Sequence, residues 1–237
     1  MELDALIAMS HRYGADAEFV LAGGGNTSYK TEDILYIKGS GTKLAAITAE
    51  GFVRMDRAKL AEIWSMTFSA DEKTREAEGL AAMMAARLAG EEGKRPSVET
   101  LLHDLFPQKL VLHVHPALVN GMTCGKNGKN LMAELFPDAI WIPSTKPGYV
   151  LASVCREKMA KYREKTGKDA DLLFLGNHGV FFAADTEEGI DALVTEVMVK
   201  LRASAEALPD SSEVPYDRDM ALRLAPELRM LYADGSE

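Results

Sequence analysis

Three of the five histidines in this 237-residue chain have the spacing of metal ligands. His113 and His115 end the apolar run Lys-Leu-Val-Leu-His-Val-His, and a β-strand directs residues two apart to one face. His178 lies in a second apolar run, within Asn-His-Gly. A lone His-x-His pair is more often an ordinary feature of a strand, but the second run favours two strands that face one ion. Three neutral imidazoles bind Zn²⁺, Mn²⁺ or Co²⁺ and leave a coordination position open, so the pattern predicts a catalytic metal centre.

Glu99 is the candidate proton carrier of this centre. It lies near the start of a helix predicted over residues 98–106, which leads directly into the histidine-bearing run. A carboxylate beside a metal can be a ligand, a general base or both, whereas an exposed glutamate at this position would only stabilise the helix start. His103, four residues later, shares the helix face of Glu99 and is predicted to support the site rather than to bind the metal.

Two glycine-rich turns are candidates for an anion site. Residues 23–28 read Gly-Gly-Gly-Asn-Thr-Ser and residues 39–41 read Gly-Ser-Gly, and neither has the spacing of a dinucleotide-binding loop. Their N–H groups could hold an anion, or they could be ordinary hairpin turns. Further donors near them are Thr27, Ser28, Ser40 and Ser97, with Lys38 or Lys43 as a charge. Lys146, in a proline-flanked turn, could meet a phosphate or carboxylate or remain solvated.

The elements that must position these residues alternate between helices and strands. The apolar spacing predicts helices over residues 3–13, 57–68, 71–88, 98–106, 129–136, 149–165, 186–205 and 217–232. Strands are predicted over 34–38, 52–55 and 139–142, in the histidine-bearing run, and as a pair within 172–184. A stretch rich in Pro, Ser and Asp at 209–215 precedes the last helix. This alternation favours α/β layers, and we expect one domain over residues 1–237.

Bulk composition narrows the class of protein. The chain is 47% hydrophobic and 27% charged, as in an ordinary globular protein, and a net charge of −9 argues against nucleic acid as a partner. The first residues lack the basic and apolar segments of a signal peptide, and no run is long enough to cross a membrane. Cys124 and Cys155 form no CxxC pair, so we expect reduced thiols in a cytoplasmic protein.

Six motifs in this order make the chain resemble the class II aldolase/adducin family. They are Gly-Gly-Gly-Asn-Thr-Ser, Ile-Lys-Gly-Ser-Gly, Pro-Ser-Val-Glu, Leu-His-Val-His-Pro, Ile-Pro-Ser-Thr-Lys-Pro-Gly and Asn-His-Gly, spread over residues 20–185. The first two look particularly like the aldolase half of rhamnulose-phosphate aldolase/dehydrogenase-type proteins, without the dehydrogenase half. The chain departs from fuculose-phosphate aldolases in having no matching motif for the tyrosine that protonates the departing aldehyde; Tyr149, Tyr216 and Tyr232 are available.

The resemblance implies a three-layer α/β/α fold around a mostly antiparallel sheet and a homotetramer with sites between subunits. It implies that His113, His115 and His178 hold Zn²⁺ and that Glu99 is the acid/base carboxylate. The substrate phosphate would then be cradled by Asn26, Thr27, Ser40, Gly41 and Ser97, with Lys146 as a further contact.

The reaction that this resemblance implies is reversible cleavage of a ketose 1-phosphate to dihydroxyacetone phosphate and an aldehyde. Relatives with the same metal site act as pentulose-phosphate 4-epimerases, dehydratases or decarboxylases, and a non-catalytic adducin-like binding domain is a further alternative. Two unrelated folds with a His-x-His pair fit less well. A cupin would be nearly all strand, and an amidohydrolase barrel needs ~250 residues with the pair near its start.

Overall fold

A seven-stranded sheet forms the centre of the structure, a computed structural model that describes residues 2–21, 24–205 and 215–232. The strand order is β3-β2-β1-β4-β7-β6-β5, and every neighbouring pair is antiparallel except β5 with β6. The strands are β1 (Asn26–Lys30), β2 (Ile34–Lys38), β3 (Phe52–Asp56), β4 (Leu110–Val114), β5 (Ile140–Ile142), β6 (Leu172–Leu175) and β7 (Gly179–Ala184). The mostly antiparallel sheet confirms the predicted fold class.

Helices cover both faces of the sheet. These helices are α1 (Glu2–Ala15), α2 (Arg57–Glu62), α3 (Glu72–Ala85), α4 (Thr100–Leu105), α5 (Ala117–Thr123), α6 (Gly128–Leu135), α7 (Tyr149–Thr166) and α8 (Glu187–Ser204). A further helix, α9 (Arg218–Tyr232), follows later in the chain. Three 3₁₀ turns lie at Leu44–Ala46, Ala49–Gly51 and Ile63–Ser65. Helices α1, α5 and α8 pack on one face, and α3, α4 and α7 lie on the other. The fold is therefore the expected three-layer α/β/α arrangement.

The apolar runs of the sequence are strands buried on both faces. In β7, Val180 and Phe182 enter the core beneath α1 and α8, whereas Phe181 and Ala183 enter the core beneath α4 and α7. Because successive strand residues face opposite sides, a run without polar interruption fills both cores. The centre of the sheet is thus rigidly packed, and the side chains at the edge where β4 ends and β7 begins are held by it.

Three elements differ from the sequence-based expectation. Asn26–Lys30 is a strand, not part of a turn, and it pairs with both β2 and β4. The helix predicted over 57–68 ends at Glu62 and continues only as the 3₁₀ turn Ile63–Ser65. Helix α5 was not predicted, because its seven residues are too few to show a helical period.

The chain divides into two compact units, residues 1–204 and 205–237. The second contains α9, which has Pro226 within it. Most of the stretch at 209–215 that is rich in Pro, Ser and Asp lies outside the described residues. Gly23 of the first glycine-rich turn also lies outside them. The expectation of one domain over 1–237 stays a prediction. In the described part of the chain, no helix is both long and apolar enough to span a bilayer.

Candidate metal centre

His113, His115 and His178 meet at one edge of the sheet, where β4 ends and the turn between β6 and β7 lies beside it. One ligand atom from each histidine lies within 4.8 Å of the others. The Nε2 atoms of His113 and His115 are 2.8 Å apart, close to the roughly 3.3 Å expected for two nitrogens bound tetrahedrally to one Zn²⁺ ion. The structure therefore brings together the three residues that the sequence singled out.

The backbone conformation around His178 explains why an asparagine precedes this histidine and a glycine follows it. Asn177 has a positive φ of 57°, a conformation that asparagine tolerates better than most residues. A Cβ at Gly179 would lie 2.6 Å from both His115 Cδ2 and the Val114 carbonyl oxygen. Only glycine leaves room for the second histidine at this point of closest approach.

The hydrogen bond from His113 Nδ1 to Val180 leaves Nε2 of this histidine unprotonated, so that its lone pair can bind a metal. Its Nδ1 lies 3.0 Å from the Val180 carbonyl oxygen, which can only accept, so Nδ1 carries the proton. The ring also stacks on Phe181, with centroids 4.0 Å apart. Both contacts come from the neighbouring strand β7. The hydrogen bond to the carbonyl oxygen is of the kind that orients metal-ligating histidines.

The three imidazoles are kept neutral, which is the form that binds metal. Burial lowers the pKa of His113 well below its usual value, and the neighbouring histidines lower it further. Burial also lowers the pKa of His115, and it lowers that of His178 to about 4, with a contribution from His115. The converging lone pairs fit a divalent cation.

Glu99 lies against the three histidines. It immediately precedes α4, and its carboxylate is buried, with the residue only 4% exposed. Its Oε1 is 3.3 Å from His113 Nε2 and 3.4 Å from His178 Nε2, and it has no hydrogen-bond partner among the described residues. Burial raises the pKa of Glu99 to about 7, and the hydrogen bond from Asn26 opposes this rise. In the metal-free site, a carboxylate with this pKa can both take up and release a proton near neutral pH.

Asn26 and Thr27 point to opposite faces of β1. The Asn26 amide lies between Glu99 and His103, with Nδ2 donating to Glu99 Oε2 at 2.8 Å. The Thr27 hydroxyl lies 2.6 Å from Ser10 Oγ on α1, on the far side of the sheet. The phosphate contact predicted for Thr27 stays a prediction, and the position of this hydroxyl does not support it.

Ser40, Gly41 and Ser97 come from two adjacent loops. The Ser40 N–H donates to the Arg95 carbonyl at 2.7 Å, and the Ser97 N–H donates to the Lys38 carbonyl at 3.1 Å. Gly41 is exposed and has a φ of +87°, with open space where a side chain would be. Both serine N–H groups are already paired, and the Ser40 hydroxyl donates to the Pro96 carbonyl at 3.1 Å. The donors that remain in these two loops are therefore the Ser97 hydroxyl and the exposed turn at Gly41.

Lys146 lies at a separate cavity next to the segment that carries Glu99. This cavity of about 230 Å³ is mostly apolar, and its wall includes Val98, Leu101, Lys146 and Tyr149. Val98 lies between Ser97 and Glu99 in the chain. The structure thus places Lys146 beside the α4 segment, while the histidines lie at the edge of the sheet.

Sequence reasoning missed the interior partners of Glu99. His103 was assigned a supporting role, but its contacts with Asn26 and Ser28 were not foreseen. The available signal was the alternation of Asn26 and Ser28, which places both on one face of a strand. It was hidden because the polar stretch was interpreted as a turn.

A family description, Class II Aldolase and Adducin N-terminal domain, matches residues 4–195. The chain belongs to the class II aldolase/adducin family. Members of this family that act as class II aldolases depend on a metal, and the three histidines are able to hold one.

Solved structures of the same fold support this assignment. The N-terminal class II aldolase domain of a conserved protein from Thermoplasma acidophilum is 25% identical, with a TM-score of 0.71 over 86% of this chain and 93% of that one. An L-fuculose 1-phosphate aldolase is 16% identical, with a TM-score of 0.56 over 96% of both chains, and this likeness shows the fold alone.

A longer protein also matches part of the sequence. The uncharacterized oxidoreductase YuxG of Bacillus subtilis is 27% identical over 196 residues, which are 78% of this chain. The chain spans only 27% of the length of that relative.

Proposed function

We propose that this protein is a Zn²⁺-dependent aldolase that reversibly cleaves a ketose 1-phosphate to dihydroxyacetone phosphate and an aldehyde. The observation that carries the proposal is the Glu99 carboxylate. It is buried, its Oε1 is unpartnered among the described residues, and this oxygen lies 3.3 and 3.4 Å from two candidate ligand nitrogens. This position supports a role for Glu99 as the group that carries protons at a carbon atom held beside the metal.

The side chains of the candidate site have different roles in the proposed cleavage. A metal ion held by His113, His115 and His178 would supply Lewis-acid polarisation of the substrate oxygens. In cleavage, the C4 hydroxyl passes its proton to solvent water and becomes the aldehyde carbonyl as the C3–C4 bond breaks. The electron pair of the broken bond forms the enediolate of the three-carbon product. Glu99 returns a proton to C3, and in the reverse direction it removes that proton. Asn26 holds the other carboxylate oxygen in place.

Local donors would bind the substrate phosphate. The hydroxyls of Ser40 and Ser97 and the turn at Gly41 lie in two loops joined by hydrogen bonds between residues 38–40 and 95–97. Lys146 would contribute charge from the neighbouring cavity. The homotetramer with sites between subunits belongs to the same proposal and predicts a fourfold chain mass in light scattering.

The test is release of dihydroxyacetone phosphate from a panel of ketose 1-phosphates, with metal-replete protein. Release that stops with a chelator and returns with Zn²⁺ supports the proposal. Protein that holds one metal ion per chain but cleaves no ketose overturns it in favour of epimerase, dehydratase or decarboxylase chemistry. Protein that binds no metal at all points to a non-catalytic, adducin-like domain.

The matched variants are Glu99→Gln and Glu164→Gln, the latter on the exposed face of α7. We expect Glu99→Gln to keep its metal and to lose about 10²–10⁴-fold in turnover, the usual contribution of a positioned acid or base. Turnover equal to that of Glu164→Gln would remove Glu99 from the mechanism.

A further inference from the structure

A chain of hydrogen bonds runs from Glu99 into the protein interior. Glu99 Oε2 accepts from Asn26 Nδ2 at 2.8 Å, and the other end of the amide, Oδ1, is hydrogen-bonded to His103 Nε2. His103 Nδ1 lies 2.7 Å from Ser28 Oγ. Asn26 is 7% exposed, and His103 and Ser28 are fully buried. Water therefore does not replace these partners, and each link must be made within the protein.

The direction of each hydrogen bond follows from the chemistry of the four groups. A neutral imidazole has one donor nitrogen and one acceptor nitrogen, and an amide oxygen can only accept. His103 Nε2 therefore donates to Asn26 Oδ1, and Nδ1 accepts the proton of the Ser28 hydroxyl. Donation runs one way, from Ser28 through His103 and Asn26 to Glu99.

The opposite direction of donation would leave the buried hydroxyl group of Ser28 without a hydrogen-bond acceptor. If the Asn26 amide were flipped, its oxygen would face the Glu99 carboxylate and its NH₂ group would face His103. The imidazole would then carry its proton on Nδ1 and donate to Ser28 Oγ, and the hydroxyl proton of Ser28 would need another acceptor. No such acceptor is found for it in the described part of the chain. An unpaired buried polar group costs about 1–3 kcal/mol, which favours the first arrangement.

We propose that His103 and Ser28 are positioning residues that fix the Asn26 amide with its NH₂ group toward Glu99. Glu99 Oε2 is thereby always met by a donor, and Oε1 is left as the oxygen that faces the metal centre. His103 itself does not touch substrate or metal. The kinetic part of this inference rests on the proposed function, whereas the orientation of the chain does not.

The orientation is tested without turnover, by ¹⁵N NMR of the histidine side chains in full-length protein with and without Zn²⁺. We expect His103 to carry its proton on Nε2 in wild type. A proton on Nδ1 overturns the inference. This outcome is independent of whether any ketose is cleaved.

The kinetic test is a double-mutant cycle between His103 and Glu99, with metal content measured for every variant. We expect His103→Phe to lower kcat about 10–100-fold with little change in KM, as is usual for a residue that orients a catalytic group. His103→Gln keeps an N–H group toward Asn26, so it should recover part of this loss. In the Glu99→Gln background, His103→Phe should cause no further loss in kcat, because the group that it positions is gone.

Equal losses in both backgrounds would overturn the inference and leave His103 a purely structural residue.

Ser28→Ala and Ser10→Ala form the milder matched pair, since each removes one buried hydroxyl contact of β1 and only Ser28 is connected to Glu99. Both should lose similar stability, but only Ser28→Ala should lower kcat. A lowered kcat in both variants would contradict the proposed role. Wild-type protein that releases no dihydroxyacetone phosphate would overturn the proposed function alone, and the NMR result would still decide the orientation.

Discussion

Two polar atoms of the candidate metal centre have no hydrogen-bond partner among the described residues, although they are buried. Glu99 Oε1 and His178 Nδ1 are both in this state among the described residues. Buried polar groups are almost always paired, and an exception needs an explanation. The unpaired Glu99 Oε1 lies beside the Nε2 atoms of His113 and His178, where a cation and the oxygens of a substrate would satisfy it. Part of the cost in stability of unpaired polar atoms is thus located where chemistry is expected.

At the scale of single residues, we expect Gly179 to be essential for metal binding. A Cβ at this position would lie 2.6 Å from His115 Cδ2 and from the Val114 carbonyl oxygen, so Gly179→Ala must displace the histidine or the strand end. We expect metal affinity to fall at least tenfold, measured by competition with a chromophoric chelator. Gly93→Ala is the control, because no atom lies within 4 Å of its added Cβ. Equal affinities in the two variants would show that the histidines adjust freely.

Lys30 should make stability depend on pH. Its Nζ donates to the Gln108 carbonyl at 2.7 Å, and burial lowers the pKa of Lys30 from 10.5 to about 7. Between these values the unfolded chain binds the extra proton, so this residue makes stability rise with pH in that range. Lys30→Met should remove the rise and stabilise the protein at pH 7 by at most about 4 kcal/mol.

The measurement is the melting temperature of wild type and Lys30→Met from pH 7 to pH 10, with Lys59→Met on the exposed face of α2 as the control. The difference between Lys30→Met and wild type should shrink as pH rises. A constant difference across this range would show that Lys30 does not titrate there.

At the scale of elements, strand β1 shows where sequence reasoning reached its limit. The sequence predicts β4 and β7 as buried strands because both of their faces carry mostly hydrophobic side chains. In β1, by contrast, Asn26 and Ser28 are buried against Glu99 and His103, and Thr27 is buried against Ser10. Those partners are 17 to 75 residues away in sequence, so local pattern could not identify them. Local propensity favours a turn, and long-range pairing overrides it.

The contrast between local pattern and long-range pairing also separates the part of the site that the sequence predicts from the part that it does not. The three candidate ligands followed from strand alternation at His113 and His115 and from the occurrence of Asn-His-Gly in a second apolar run, which are local features. The state of Glu99 did not, because it depends on an amide orientation set by two residues on different elements.

Helix α7 is expected to depend on a carboxylate from α3. Glu76 accepts hydrogen bonds from the N–H groups of Tyr149 and Val150, at 2.7 and 2.9 Å, and so caps the first turn of the helix. Gly148 is required beside it, since a Cβ there would overlap the Glu76 carboxylate. We expect Glu76→Ala to cost about 1–2 kcal/mol of unfolding free energy in a urea titration. Glu164→Ala, an exposed change within α7, is the control, and equal costs would argue against the cap.

At the scale of the whole molecule, the residues of the metal centre and of both hydrophobic cores belong to the first compact unit. The last residue of either core cluster is Leu201, and the first unit ends at Ser204. The net charge of −9 is spread over a protein whose expected substrate is itself an anion. Binding of a phosphate must therefore rely on local donors rather than on long-range attraction.

A chain truncated after Ser204 should fold and bind one metal ion. It keeps His113, His115, His178 and Glu99, together with every residue of both core clusters. We expect its far-ultraviolet circular dichroism to retain the mixed α/β signature and its metal content to equal that of the full chain by elemental analysis. His178→Ala in the truncated chain is the control and should lose the metal. A truncated chain that is unfolded, or that is folded without metal, would show that residues 205–237 are needed to build the centre. If it binds metal but cleaves no substrate that the full chain cleaves, those residues act on substrate rather than on the metal.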